Sequence, residues 1–329
     1  MREMNPQFVF NEIEKEALVS KFSNITISPY KFYPAFKHQV RQLVTGTSEL
    51  SRFIHYIDFW RSSSTYENPF LFLSNCPIDQ EIPIYNMSDP VRDKYENKKT
   101  FVSEVFLQLY ADLAGQHPIS YLNVNDGDVF QDIYPKEALK DTQSQKALGP
   151  IYFHKDLANH FVRPDFVNIL SLRSSNDIYT TFTSNKDILE NMSEDTQLTL
   201  RQTLFYTPFD DLTVTSNNVK LGDADKHPIL SGYHDLRVFE NRTKGLTQEA
   251  QLALDELLHL AHKYKKKLTM LPGDFVGISN NLSIHGKEIG SNADLEDSKK
   301  RYSLKTVNVY TTSMHLKHFV DGTDYLVRG

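Results

Sequence analysis

From about residue 150 the chain breaks into short apolar runs separated by turn residues, and this texture constrains the fold more than any other feature. The runs 151–153, 166–172, 178–183, 236–239, 267–271, 275–278 and 304–310 have the length and the aromatic or β-branched content of strands. Short strands in such density must bury their faces against one another, which predicts a β-rich core. The first part of the chain reads differently. Residues 11–23 and 47–60 carry apolar positions at helical spacing behind the cap candidates Asn11 and Thr47. Val102, Val105, Phe106, Leu109 and Leu113 make one helical face over 100–114, whereas PFLFLSNC (69–76) suits a buried strand.

One helix interrupts the β-rich half at 247–264, capped by Thr247. No repeat or linker divides the 329 residues, so the expectation is a single domain over 1–329, mainly β with α, with a helical layer at about 1–68. The stretch 208–233 is polar and aperiodic, too long for a connector, and reads as a disordered insert or a lid.

A chain of this size with 40% hydrophobic residues buries a core without covalent staples, so a bound metal would serve chemistry. The single cysteine, Cys76, excludes an internal disulfide framework and a thiolate zinc or iron–sulfur site, and suits a reducing cytoplasm. Net charge is −6, with basic residues scattered apart from 265–267 and 299–301, which argues against a nucleic-acid partner. No run approaches the roughly 18 apolar residues of a membrane span. The expectation is a cytoplasmic protein with a small-molecule partner, its oligomeric state left open.

The chemistry gathers at His154-Lys155-Asp156, at the end of one strand, and at His285, after another. In an extended chain residues i and i+2 point the same way, so His154 and Asp156 can reach one ion. Two histidines and a carboxylate on one face of a metal form the facial triad of Fe(II) oxygenases. The spacing by itself is weak. A chain with 12 His and 42 acidic residues holds about 1.5 His-x-acid spacings by chance, and a partly buried structural histidine is the commoner meaning of one.

The surrounding blocks are more specific. PFLFLSNCPID (69–79), VFQDIYPKEALKDTQSQKALGPIYFHKDLANHFVRPDFVNILSLRSSND (129–177) and LPGDFVGISNNLSIHG (271–286) resemble, in order, the clavaminate synthase-like branch of the Fe(II)/2-oxoglutarate-dependent oxygenases, which includes bacterial arginine, asparagine and lysine hydroxylases. The likeness lies in a Q-D-I-x-P run, in H-x-E-x-A-x-H, in a strand closing in L-R, and in P-G-D followed by an Asn and then H-G. It implies a double-stranded β-helix (jelly-roll) core flanked by helices. It implies His154, Asp156 and His285 as the catalytic iron ligands, with Fe(II), 2-oxoglutarate and O2. The implied reaction is hydroxylation of an unactivated C–H of a free L-amino acid or similar small amine-carboxylate, releasing succinate and CO2. Asp156 stands where this branch usually has Glu. A retained carboxylate separates the chain from the halogenases of the superfamily, which carry a small residue there.

The resemblance also assigns the cosubstrate and substrate contacts. Arg301 matches the family's 2-oxoglutarate arginine if 287–300 holds a short insertion, and its planar fork suits a carboxylate. Thr180, in TTFTS (180–184), matches the hydroxyl that helps it, with Thr181 and Thr183 left open. Lys305 takes the place of a second arginine that clamps the substrate α-carboxylate. Gln143 and Gln145 fall in the loop that lines the family's substrate pocket. Asp223 and Asp225 in the lid are acidic candidates for the far end of the substrate, since Glu240 would point to the opposite face of its strand. His160 reads as structural, and Trp60 and Cys76 as packing. Other readings are an oxygenase of a carrier-tethered or peptide-linked residue, a desaturase or cyclase, and a metal-free jelly-roll binding protein.

Overall fold

The computed structural model describes residues 4–44, 46–209 and 224–328. Its larger sheet has the spatial order β1 (Phe8–Val9), β2 (Phe70–Ser74), β14 (Phe275–Ser279), β6 (Phe166–Arg173), β16 (Tyr302–Val309), β3 (His117–Tyr121) and β17 (Leu326–Val327), with β4 (Gln131–Ile133) paired to β16. Its central pairs are antiparallel. The smaller sheet is antiparallel throughout, in the order β13 (Lys266–Leu268), β7 (Ile178–Ser184), β15 (Ser283–Ile289) and β5 (Ile151–His154).

Alternation along the strands stacks these sheets. Phe70, Phe72, Val167, Ile169, Val276 and Ile278 of the larger sheet share one buried cluster with Phe182 and Leu268 of the smaller one. The Phe70 and Phe182 rings meet at 5.2 Å. The intervening residues Leu71, Leu73, Leu170, Leu172, Tyr302 and Leu304 face the opposite way into a helical cluster. A strand buried on both faces reads as a continuous apolar run, which is why 166–172 is legible in the sequence.

Helices α1 (Glu12–Phe22), α2 (Tyr33–Val44) and α3 (Ser51–Ser62) cover that outer face, followed along the chain by α4 (Pro90–Asn97) and α5 (Val102–Ala114). A capping box between Asn11 and Glu14 starts α1. The helical layer extends beyond the expected 1–68, because α5 is buried along its length from Val102 to Ala111 and packs against α1, α2 and α3. Helices α6 (Asn185–Leu189), α7 (Glu194–Leu200) and α8 (Gln248–Lys263) cover the smaller sheet, burying Phe153 and Ile284 against Leu254 and Leu257. Helix α9 (Leu295–Lys300) joins β15 to β16.

Within the stretch read as insert or lid, 210–223 lie outside the described residues. Its end folds: β9 (Lys226–His227) joins β8 (Phe205–Tyr206) and β12 (Lys244–Gly245) in a three-stranded sheet, and β10 (Leu230–Ser231) pairs with β11 (Asp235–Leu236). At the turn before β14, Gly273 has φ +83°, and a Cβ there would lie 3.1 Å from the Cys76 carbonyl. The P-G-D motif thus lets the chain pass close to β2, with Cys76 N donating to Gly273 O at 2.8 Å. Among the described residues no helix is long and apolar enough to cross a membrane.

Candidate metal centre and its cavity

β15 pairs with β5 so that His285 stands opposite His154. Their rings lie 4.5 Å apart. The register thereby makes a pair of imidazoles out of residues 131 positions apart in sequence. His154 Nδ1 is 2.8 Å from the Tyr152 carbonyl, which fixes its proton there and leaves Nε2 facing Asp156 Oδ1 at 3.1 Å. His285 Nε2 is 3.6 Å from the same oxygen. Each of the three residues offers a ligand atom within 4.8 Å of the others. Phe239 stacks on His154 at 4.9 Å and 21°.

Asn280 holds the carboxylate's backbone: it accepts from Asp156 N at 2.9 Å and donates to Asp156 O at 3.2 Å and Pro164 O at 2.8 Å. Leu157, at φ +52°, then turns the chain away. Burial opposes a charge on Asp156, but Lys305 and the two imidazoles outweigh it and hold the carboxyl well below its usual range. Burial, with His154 alongside, pushes His285 down, which favours its neutral form. His285 Nδ1 finds no partner among the described residues, so the polar engagement of that ring is on the Nε2 side. Two imidazole nitrogens and an ionised carboxylate on one side of a buried space are the donor set that a divalent transition metal takes, with open positions left over.

The three residues line a cavity of about 150 Å³ between the sheets. β16 faces it with alternate residues: Lys305 and Val307 line it, as does Arg301 just before the strand, while Tyr302 and Leu304 point into the helical layer. Arg301 is half-buried, and its guanidinium has no hydrogen bond or ion pair among the described residues; burial pushes it down to about 10. Its neighbour Lys299 pairs instead with Glu296 at 2.6 Å. Helix α9 occupies the end of the segment where the match of Arg301 requires a short insertion. Of the three threonines, only Thr180 lines the cavity. Thr183 faces α8 and donates to the Ala261 carbonyl at 2.8 Å, and Thr181 shares its side of β7.

Lys305 enters the site but is not open. Its ammonium is buried and donates to Asp156 Oδ2 at 2.6 Å, because β16 places it directly across from the carboxylate. The lysine expected at the substrate carboxylate is thus also a partner of the candidate ligand Asp156. Gln143 and Gln145 both line the cavity. Gln143 is tied to backbone, accepting from Tyr152 N at 3.1 Å and donating to Pro150 O at 3.2 Å. Gln145 donates to Gln131 at 3.4 Å, and its own carbonyl oxygen is buried without a partner among the described residues. Asp225 is not brought to the cavity: it is exposed beside β9, where water solvates it. Asp223 lies outside the described residues. Glu240 faces away, accepting from Phe153 N and pairing with His262 at 2.6 Å. His160 packs edge-on against Tyr121.

Four lining or supporting residues escape the sequence reading. Lys287 lies two positions after His285 on β15 and lines the cavity, donating to Ala147 O at 2.6 Å; the i+2 rule that joined His154 to Asp156 would have found it. Burial, then Arg301, lowers its ammonium well below the usual range. Asn280 is the Asn of the motif before H-G. Gln131 opens the Q-D-I-x-P run, and Phe239 carries no signal in sequence.

No family model matches the chain. L-lysine 3-hydroxylase of Catenulispora acidiphila is 25% identical over 179 residues, 52% of this chain and 49% of that protein. L-asparagine oxygenase of Streptomyces coelicolor is 27% identical over 177 residues, covering 52% and 51%. The chain spans about half the length of these curated relatives in what it matches. The solved non-heme iron oxygenase OrfP, in complex with Fe, succinate and (3S)-hydroxy-L-Arg, superposes with a TM-score of 0.82 at 17% identity, over 98% of this chain and 100% of that one. The chain has the non-heme iron oxygenase fold. The resemblance carried by the three sequence blocks thus holds at the level of relatives and of fold, and in this oxygenase fold the facing strands β5 and β15 bring the metal candidates together.

Proposed function

We propose that this chain is an Fe(II)/2-oxoglutarate-dependent dioxygenase that hydroxylates an unactivated C–H of a free L-amino acid or similar small amine-carboxylate, as one oxygenase domain over 1–329 with a double-stranded β-helix core. One observation carries the reading: two imidazoles and a carboxylate converge in a cavity that also holds a guanidinium without a partner among the described residues. His154, Asp156 and His285 would hold the iron. Iron and 2-oxoglutarate together supply the O2-dependent oxidation that ends in succinate, CO2 and a hydroxylated carbon.

The chain's own residues do the rest. Arg301 receives the distal carboxylate of 2-oxoglutarate through its fork, and the Thr180 hydroxyl donates beside it. Lys305 steadies the second oxygen of Asp156, and the remaining donors of its ammonium are available to a substrate carboxylate. Ile169, Met270, Val307 and Phe239 give the cavity apolar walls that exclude water from the reacting carbon. Retention of Asp156 keeps a protein carboxylate among the ligands, which favours hydroxylation over halogenation.

The test is anaerobic addition of Fe(II) and 2-oxoglutarate to the whole chain, followed by air and a panel of free L-amino acids. The expected results are a visible iron–oxoglutarate absorption band, succinate formation, and one amino acid gaining a single oxygen by mass. Absence of the band would overturn the proposal.

A further inference from the structure

We infer that the substrate taken by this cavity is an amino acid whose side chain is uncharged and carries a hydrogen-bond donor, a carboxamide or a hydroxyl, and is not one of the basic amino acids. This rests on the oxygenase reading above and narrows its substrate class. The balance of charge in the cavity decides against a basic side chain. Asp156 is the one carboxylate among the described residues that line the cavity. Its Oδ1 faces His154 and His285, and its Oδ2 takes the Lys305 ammonium. A lysine or arginine substrate would therefore bring a further side-chain cation into a space already lined by Arg301, Lys287 and Lys305, with no second lining carboxylate among the described residues to meet it. A buried charge without a counter-charge is the arrangement that binding sites avoid.

An acidic side chain fares poorly for another reason, because an ionised carboxylate has no proton to give to the acceptor that the wall leaves open, and most of the cations near it already have partners. Lys155 pairs with Asp235 and donates to Asn281, Lys287 donates to Ala147 O, Lys305 holds Asp156, and Arg242 donates to Phe209 O and lies over the Phe239 ring. Arg301 is reserved for the cosubstrate. What the wall leaves open is an acceptor. Gln145 Oε1 is buried and has no partner among the described residues, while Gln143 and Asn159 satisfy theirs on backbone or on Arg237. A side chain bearing N–H or O–H without net charge answers that orphan acceptor, and a carboxylate does not.

The experiment titrates the whole chain, loaded with Fe(II) and 2-oxoglutarate under argon, with L-asparagine, L-glutamine, L-serine, L-threonine, L-aspartate, L-glutamate, L-lysine and L-arginine. The readout is perturbation of the iron–oxoglutarate band, which reports binding without turnover. A carboxamide or hydroxyl amino acid is expected to bind at least about tenfold more tightly than any charged one, as befits a site whose buried polar groups select their partner. Gln145→Glu is expected to reverse the order toward lysine and arginine. Tighter binding of a basic or acidic amino acid by the unmodified chain would overturn the inference and leave the oxygenase reading standing. A band that no amino acid perturbs would overturn the inference too. Failure to form the band at all would overturn the reading beneath it.

Discussion

Strand β16 separates two buried ionic clusters that treat charge in opposite ways. On its cavity side, Arg301 has no partner among the described residues and Asp156 collects two imidazoles and an ammonium. On its helical side, Tyr302 donates to Asp132 at 2.8 Å, and Lys94 bridges Asp132 at 2.7 Å and Asp128 at 2.8 Å. Beside it Lys98 pairs with Asp79 at 2.8 Å and Glu104 at 3.4 Å. The helical cluster pairs its cations with carboxylates, whereas the cavity leaves its guanidinium unpaired among the described residues. Paired buried charge serves the fold, since the partner replaces much of each ion's lost hydration; a half-buried guanidinium without a partner among the described residues suits a ligand that completes it.

The largest expected effect lies in the cavity. His285→Ala should abolish iron-dependent succinate formation while leaving the thermal transition within a few degrees of the parent, because one ligand is lost rather than core volume. Succinate release and a calorimetric scan check both halves. Retained turnover would remove the basis for treating this side of β16 as a metal site.

The helical cluster should respond the other way. Lys94→Met leaves Asp128 and Asp132 buried without their cation, and should lower unfolding free energy by about 3–5 kcal/mol. Urea denaturation measures this, and binding of oxoglutarate by the surviving folded fraction should be unaltered. The excess of acid in this cluster also sets a pH dependence. Burial raises Glu104 from its ordinary 4.5 to about 7, and Asp128 from 3.8 to about 6. Between those limits the folded chain keeps protons that the unfolded chain has released, so stability is greatest on the acid side and falls as pH rises. For Glu104 the loss runs from about pH 4.5 to about 7 and amounts to at most about 3 kcal/mol. Denaturation midpoints taken from about pH 5 to about 8 should show the decline, and Glu104→Gln should flatten it. An unchanged slope in that variant would assign the titration elsewhere.

Arg301→Leu should raise the KM for 2-oxoglutarate about a hundredfold, the equivalent of roughly 2.7 kcal/mol, with little change in iron affinity. Since the guanidinium has no partner to lose among the described residues, the variant should unfold no more easily than the parent. That contrast with Lys94 is the sharpest form of the comparison: removing one cation harms the fold, and removing the other harms ligand binding. Parent-like KM together with a large drop in stability would reverse the assignment of the two sides.

How much of this was legible in sequence follows the same division. The strands of the sheet cores and the helices α1, α5 and α8 were readable because apolar periodicity records what faces a core. β15 was not, since SIHGKEI carries the site's histidine and lysine where a core strand would carry valines. α2 begins with Tyr-Pro and α9 is six residues with one buried side chain, so neither has a long apolar stripe. The metal candidates were legible through motif order. The helical ion cluster was not, because Lys94, Asp128 and Asp132 look like surface residues until folding places α4 over β4 and the turn before it. The engagement of Lys305 with Asp156 was equally hidden: it depends on how β16 faces the end of β5 across the space between the sheets, and no local pattern encodes that distance.

Lys305 is where the two kinds of charge meet, and it carries the smallest predicted effect. It is a buried ion pair, as on the helical side, yet its partner is a candidate iron ligand and it lines the cavity. With Oδ2 held by the ammonium, Asp156 presents Oδ1 toward the histidines, so the lysine orients the ligand as outer-shell partners of metal sites do. Lys305→Met should weaken iron retention about tenfold and amino-acid binding by a similar factor, each near 1.4 kcal/mol. Lys305→Arg keeps the charge and should recover amino-acid binding more fully than iron retention, because a planar fork cannot reproduce the single short contact to Oδ2 in the same space. Equilibrium dialysis against a chelator reads the first quantity, and perturbation of the iron–oxoglutarate band by the preferred amino acid reads the second. If Met leaves both unchanged, the Lys305–Asp156 pair belongs with the structural ions across the strand, and the division drawn at β16 moves one residue deeper into the cavity.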